Sequence, residues 1–354
     1  MKKTLFLLTS LMALVSFLTP PTLQATAAPA IAVSYAGTYT PALTYAKGNV
    51  VAFGNASYMA LGTIGTNSSP IARPYLWTVF AALPEVNNFG TGTNSFTLDF
   101  VTIGNPGNSN DTTGYGKVAY SYQMGTYAIS QNQINIAAIS GLLGMPSGDW
   151  TGDQPATSIS WYQAAAFVNW LNTRQGYAPA YNLSYSSDNG YTMALWPAAQ
   201  AWTLGGVNLY RNANCCYFLP SENEWCKAAY YDPTRNNGKG AYWQYPEGIN
   251  SAPTAVASGT TAGTAVFNWI TYAPASVYQS GGLSSYGTMG QGGNVNQLLE
   301  SAYSGSNTTA TATRVYRGGA WGADATALQS SFRGYISPDY SSFSFGFRVA
   351  RILP

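Results

Sequence analysis

Charge is scarce in this sequence. Only 8% of its 354 residues are Asp, Glu, Lys or Arg, where a soluble domain typically carries roughly 25%. The 15 bases and 13 acids become 13 of each once Lys2 and Lys3, in a leader described below, are set aside. Nucleic-acid binders display a clustered basic face; none is present here, which excludes that class. Histidine is absent altogether, removing the commonest general base and metal-binding imidazole of neutral-pH chemistry. Cysteine occurs three times, as Cys215, Cys216 and Cys226, too few for a four-ligand zinc site. A bridge between adjacent Cys215 and Cys216 would be strained, so either of them with Cys226 stays open as a single disulfide. Disorder needs low hydrophobicity and high net charge; with 46% hydrophobic residues the chain has neither. Its 37 Gly and 19 Pro follow no fixed period, which excludes a collagen helix.

What is present begins with an export pattern. Lys2 and Lys3 precede an uncharged run from Thr4 to Leu18, and Ala25-Thr26-Ala27 supplies a small-x-small cleavage site. The run is shorter than the ~20 residues that span a bilayer, and no later stretch is long and apolar enough to do so. Residues 1–27 therefore predict a removed signal and a secreted, periplasmic or cell-surface protein without a membrane-spanning segment.

Residues 28–84 have the texture of a small all-β module. Tyr45 to Phe53 form one strand, Gly54-Asn55 a turn, and Ser57 to Leu61 a returning strand, the signature of a hairpin. Trp77 closes the unit. The arrangement resembles the small carbohydrate-binding modules of chitinases, which implies sugar stacking on exposed Tyr45, Tyr58 and Trp77; the alternative is that these rings are simply the core of a very small unit. Residues 85–95, with Asn87-Asn88 and Gly90-Thr91-Gly92, read as a linker.

A larger domain over 96–354 follows. Phe96, Leu98 and Phe100 alternate as a half-buried strand, as do Tyr120, Tyr122 and Met124. Ser160 caps a helix with Trp161, Ala164, Ala165, Val168 and Leu171 on one face, ended by Gly176. Ser221 and Glu224 form the capping box of a second helix, with Glu222 and Glu224 in its first turn. As a pair, those two acids also admit an acid/base reading. From Asn236 to Thr313 the chain is rich in Gly, Ser, Thr and Ala and shows little periodicity. Strands return at Arg314 to Trp321 and at Phe345 to Arg351.

Five ordered motifs carry a resemblance across residues 96–354. They are Ser160-Trp161-Tyr162 with its helix, Leu219-Pro220-Ser221-Glu222-Asn223-Glu224-Trp225, Gly292-Gly293-Asn294-Val295, Arg317-Gly318-Gly319-Ala320-Trp321 and Gly346-Phe347-Arg348-Val349-Ala350. Together they resemble the formylglycine-generating enzyme family, also called sulfatase-modifying factor domains. The resemblance implies an α+β, C-type-lectin-like formylglycine-generating-enzyme fold with much ordered loop.

The family's chemistry transfers poorly. Its enzymes oxidise a protein cysteine with copper held by two thiolates five positions apart, just after the Gly-Gly turn, and residues 322–328 contain no cysteine. Soft Cu(I) requires sulfur. Cys226 faces out of a different helix on this reading. Related sulfoxide synthases use histidine-bound iron, and there is no histidine. The family's calcium motif is degraded: Gly293 and Val295 retain carbonyls, but Gln297 stands where Glu is usual. Calcium favours carboxylate oxygens, leaving at most a weak calcium site and no other cofactor. Arg317, Arg333 and Arg348 are expected to satisfy buried carbonyls or to pair with Asp324 and Asp339. In lectin-like relatives the C-terminal region lines the ligand face, and in some it is diversified by mutagenic retroelements. Trp321, Tyr335, Asp339, Tyr340 and Phe343 lie there among Ser and Gly, the composition of recognition loops.

The sequence thus predicts a secreted binding protein for a neutral glycan or protein surface, on an enzyme scaffold that has lost catalysis. The alternatives are an active oxidase on protein cysteines and a structural envelope or matrix protein.

Overall fold

A computed structural model describes residues 33–53, 56–82 and 88–352; the leader and the Gly54-Asn55 turn lie outside them. The first sheet has the strands Ser34–Thr38, Asn49–Phe53, Ala56–Ala60 and Trp77–Ala82 in that order. Its first pair is parallel and the others antiparallel. The strand alternation turns Val51, Phe53, Tyr58 and Ala60 inward. Tyr39, Tyr45 and Trp77 complete an aromatic cluster with ring centroids 5.5–6.0 Å apart. Polar edges are satisfied inside it: Tyr45 Oη accepts from Thr40 N at 2.7 Å, and Trp77 Nε1 donates to Ser68 O at 2.7 Å. Tyr45, Tyr58 and Trp77 are buried, so these rings are core and present no stacking face. A unit this small has no other source of apolar area. Phe53 also meets Tyr177 at 5.7 Å, joining the sheet to the core beyond it.

The expected linker is corrected in part. Asn88–Thr91 and Asn94–Thr97 form an antiparallel hairpin. Phe89 and Phe96 stack at 5.6 Å and pack on Trp170. Alternation is visible at 96–100; the preceding strand is hidden by Gly90, which lies within it at φ +96°, and by Gly92, in the turn at φ +56°.

Three capped helices follow. The helix α1 (Gln131–Ile139) starts from Ser130 with a full capping box to Gln133. Its buried positions include Gln131 and Gln133, which blur the apolar period and hide it in the sequence. The helix α2 (Trp161–Arg174) starts at Ser160 with Gln163 completing the box; Gly176, at φ +76°, follows its end. Its alanines allow Phe167, Trp170 and Leu171 to pack closely, so nearly the whole helix is buried. The helix α3 (Glu222–Tyr230) starts at Ser221, with Glu224 returning to the cap.

Two four-stranded sheets hold these helices. One runs in the order Tyr217–Phe218, Ala350–Arg351, Tyr122–Gly125, Phe100–Ile103; the other runs Gly334–Ile336, Arg314–Arg317, Asn296–Ala302, Phe345–Gly346. The single final strand expected over 345–351 is therefore two short strands, one in each sheet. Between them Arg348 turns inward to backbone carbonyls. Much of 236–313 is ordered loop with short bridges. Among the described residues, no helix is long and apolar enough to cross a membrane.

Candidate functional site

Six of the chain's few charges meet in two clusters. Arg211 donates Nε to Glu300 (2.8 Å), Nη1 to Glu224 (3.0 Å) and Nη2 to both (2.9 and 2.7 Å). Burial pushes the Glu224 carboxyl up. The Arg211 charge and bonds from Arg211, Tyr120 and Ser221 outweigh that and hold it below the usual range. Glu300 is instead pushed up, by burial first, with the neighbouring Glu224 charge adding to it. Glu222 pairs with Arg317 at 2.7 Å and Arg333 at 2.8 Å. Both acids of the α3 first turn thus hold cap and ion pairs, and neither is placed to exchange protons with a substrate. The expected partners Asp324 and Asp339 are not used: they are exposed, bound to Thr326 and Ser337 respectively. The carbonyl part of the expectation does hold, since Arg317 donates to Ser330 O and Phe332 O and Arg333 to Tyr303 O.

The degraded calcium motif has a different occupant. Gln297 Oε1 accepts from Arg348 Nε at 2.6 Å and from Trp225 Nε1 at 2.8 Å, while its Nε2 donates to Gly290 O at 2.6 Å. Arg348 continues to Gly125 O and Met289 O. A guanidinium and a primary amide already neutralise these oxygens, and Gln297 aims an N–H where a metal would need a lone pair. With Gly293 and Val295 as the remaining carbonyl donors and no carboxylate, the set does not fit calcium.

Residues 322–328 do not fit copper either. Ala323 O accepts from Asn268 N, Asp324 caps a short 3₁₀ turn, and Leu328 is packed with Tyr245, Ala265 and Phe267. The three cysteines are buried thiols without disulfides. Cys226 does not face outward; it lies inside α3's core contact with Trp225 and Leu299. Burial pushes its thiol up to about 12 and Cys215 well above its ordinary value, so neither supplies a thiolate ligand at neutral pH. Among the described residues, no group of three or more His, Cys, Asp and Glu is placed to hold a metal ion.

An aromatic face surrounds the same turn. Trp321 is 5% exposed, and its Nε1 has no hydrogen-bond partner among the described residues. Around it stand Trp269 at 4.8 Å, Phe343 at 6.1 Å and Trp150 at 6.3 Å; Tyr272 lies 6.1 Å from Trp269. The backbone locks the arrangement: Trp269 N donates to Trp321 O, Trp321 N to Asn294 O, and Trp150 Nε1 to Phe343 O at 3.3 Å. Gly322 is required here, since a Cβ would meet the Trp269 ring at 2.7 Å. Asn268 and Trp269 both sit at positive φ, +61° and +55°, a strained conformation for so bulky a residue. Yet Trp269 is 55%, Phe343 50% and Tyr272 83% exposed.

A model described as "Sulfatase-modifying factor enzyme 1-like domain" matches residues 112–353. The chain belongs to this family. Its α+β fold is the fold expected of a sulfatase-modifying factor domain. Similar solved structures include Treponema denticola variable protein 1, 19% identical over 76% of this chain and 99% of that one, with a TM-score of 0.48. CarF is 21% identical over 73% and 99%, TM-score 0.49. PvdO from Pseudomonas aeruginosa is 16% identical over 77% and 100%, TM-score 0.43. No curated protein matches the chain.

Within the sulfatase-modifying factor domain, Trp321 and Phe343 are neighbours. Tyr335 packs instead on Tyr303, at 4.6 Å, and Tyr340 sits exposed in a turn whose N–H donates to Ser337 O. Sequence reasoning missed Trp150, Trp269 and Tyr272. The available signal was large aromatics in neutral loops with no periodicity to bury them.

Proposed function

We propose that this chain is a secreted, ligand-binding member of the sulfatase-modifying factor family that has lost the family's metal-dependent oxidation. Its neutral ligand, a glycan or a protein surface, rests on the aromatic face around Trp321. One observation carries this reading: Trp269 is held in a strained backbone conformation, half exposed, over a nearly buried Trp321 whose indole N–H is unpaired. Strain of about 1–3 kcal/mol persists where a surrounding structure and a function retain it, and exposed Trp, Tyr and Phe are the energetic anchors of recognition surfaces. The balanced charge removes long-range steering, so contact chemistry must supply selectivity. The absent sulfur at 322–328 supports the loss of oxidation.

The test is a binding screen of the purified protein against glycans and surface proteins, repeated with Phe343→Ser and Tyr272→Ser. Both positions are exposed, so folding is retained and affinity for the ligand falls about tenfold or more. Stoichiometric copper with oxygen uptake on cysteine peptides would overturn the loss of oxidation; ligand binding untouched by both substitutions would overturn the site. If the face is diversified, sibling genes differ mainly over 320–345.

A further inference from the structure

A second site lies apart from the Trp321 cluster. Residues 110–113, 241–244, Asn250 and 330–331 line a groove of about 520 Å³, within the roughly 300–1,000 Å³ of small-molecule sites. Its walls are tied together: Gln244 N donates to Asn250 Oδ1 at 3.1 Å, and Ser330 N donates to Gln244 O at 2.9 Å. On the opposite wall, Asn110 Oδ1 accepts from Lys117 N at 2.9 Å. Each asparagine is thereby anchored through its oxygen, which orients the amide and leaves Nδ2 without a partner among the described residues. Among the described residues, the Gln244 side-chain amide and the Ser330 hydroxyl likewise have no partner. Asp111 is held by Oδ1, which accepts from Thr113 N, Thr113 Oγ1 and Tyr115 N.

Trp243 supplies the apolar wall. Its Nε1 donates to Asp232 Oδ2 at 3.1 Å and Arg235 lies 3.6 Å from its ring centroid, so the ring is immobilised. No lysine or arginine lines the groove, and its one charged residue is Asp111. An anionic ligand would meet repulsion from Asp111, while Arg235 is engaged behind the wall with the Trp243 ring and Tyr242 O. A purely apolar one would strand the oriented amides, each left without its hydrogen bond. A ring with several hydroxyls and no charge satisfies both constraints.

We propose that this groove binds a short neutral saccharide, with Asn110 and Asn250 donating to its hydroxyl oxygens and Trp243 flanking a ring face. It is independent of the Trp321 face.

The experiment uses the full chain and neutral trisaccharides of glucose, mannose, galactose and N-acetylglucosamine, each titrated to about 10 mM by calorimetry and saturation-transfer NMR. At least one is expected to bind. Asn250→Ala and Asn110→Ala should each weaken it about tenfold. Ser331→Trp, at an exposed position on the groove wall, should block it while the unfolding temperature stays unchanged. Phe343→Ser should leave it within about twofold. Failure of every trisaccharide to bind overturns the proposal, as does binding that survives Ser331→Trp. Loss in Phe343→Ser alone would place the saccharide on the Trp321 face, overturning the groove while leaving that face's role standing.

Discussion

Replacing Arg211 by methionine tests how the buried charges hold this fold. The guanidinium is about 1% exposed and serves two carboxylates at once. Methionine fills much of its volume beneath Phe218, whose ring centroid lies 3.7 Å from the guanidinium carbon. It leaves Glu224 with Tyr120 Oη and Ser221 N, and Glu300 with Tyr181 Oη and Asn208 Nδ2. Removing one partner of a single buried pair costs about 3–5 kcal/mol; two stranded acids place this variant at or above the upper end. That is a large part of the roughly 5–15 kcal/mol that keeps a domain folded. Without the cation, both acids shift upward in the folded state. A raised carboxyl binds more protons folded than unfolded, so stability falls as pH rises from the ordinary carboxylate range to the raised value. The gap to the parent therefore narrows on acidification. Urea unfolding at about pH 5 and pH 8, with m held constant between the two proteins, measures it. The triple variant with Glu224→Gln and Glu300→Gln should recover part of the loss. A loss below about 1 kcal/mol, or a gap equal at both pH values, refutes the reasoning.

Other consequences are equally direct. Burial pushes the Glu247 carboxyl up to about 8 from 4.5, and its Oε2 has no donor among the described residues. The folded chain thus keeps a proton that the unfolded chain releases, and stability declines as pH rises across that window. Glu247→Gln should be close to neutral at about pH 5 and stabilising by a few kcal/mol at about pH 8; parallel stability curves would contradict this. Trp269→Gly relieves positive-φ strain while deleting exposed ring contacts, so stability should change by less than about 1 kcal/mol while ligand affinity collapses; a drop of several kcal/mol would show Trp269 to be structural. The three thiols should be inert to a thiol-specific reagent in the native protein and all reactive in denaturant; rapid native labelling would contradict their burial.

Helix starts were legible because capping is local. Ser160 and Ser221 reach amides three residues away, so spacing alone marks the caps of α2 and α3. The helix α1 escaped, although Ser130 and Gln133 have the same spacing, because its buried face includes glutamine, which breaks the apolar period. The aromatic face was half legible: Trp321 and Phe343 lie in the stretch whose composition suggested recognition, whereas Trp269 and Trp150 arrive from loops 52 and 171 positions earlier in the numbering. The polar groove had no local signal, since its walls come from three separate segments.

By itself, the amino-acid sequence determined which donor groups are missing. No histidine exists anywhere and no cysteine in 322–328, and no fold can create a missing donor atom. It also determined the family, through motifs kept in order, and the scarcity of charge. Only the tertiary structure decided where those charges went and which rings face solvent. Arg211 meets Glu300 across 89 positions, and Tyr45, Tyr58 and Trp77 become core while Tyr272 and Phe343 stay exposed. Burial is set by neighbours remote in the chain. A tyrosine's composition and spacing are identical whether its ring closes a core or meets a ligand.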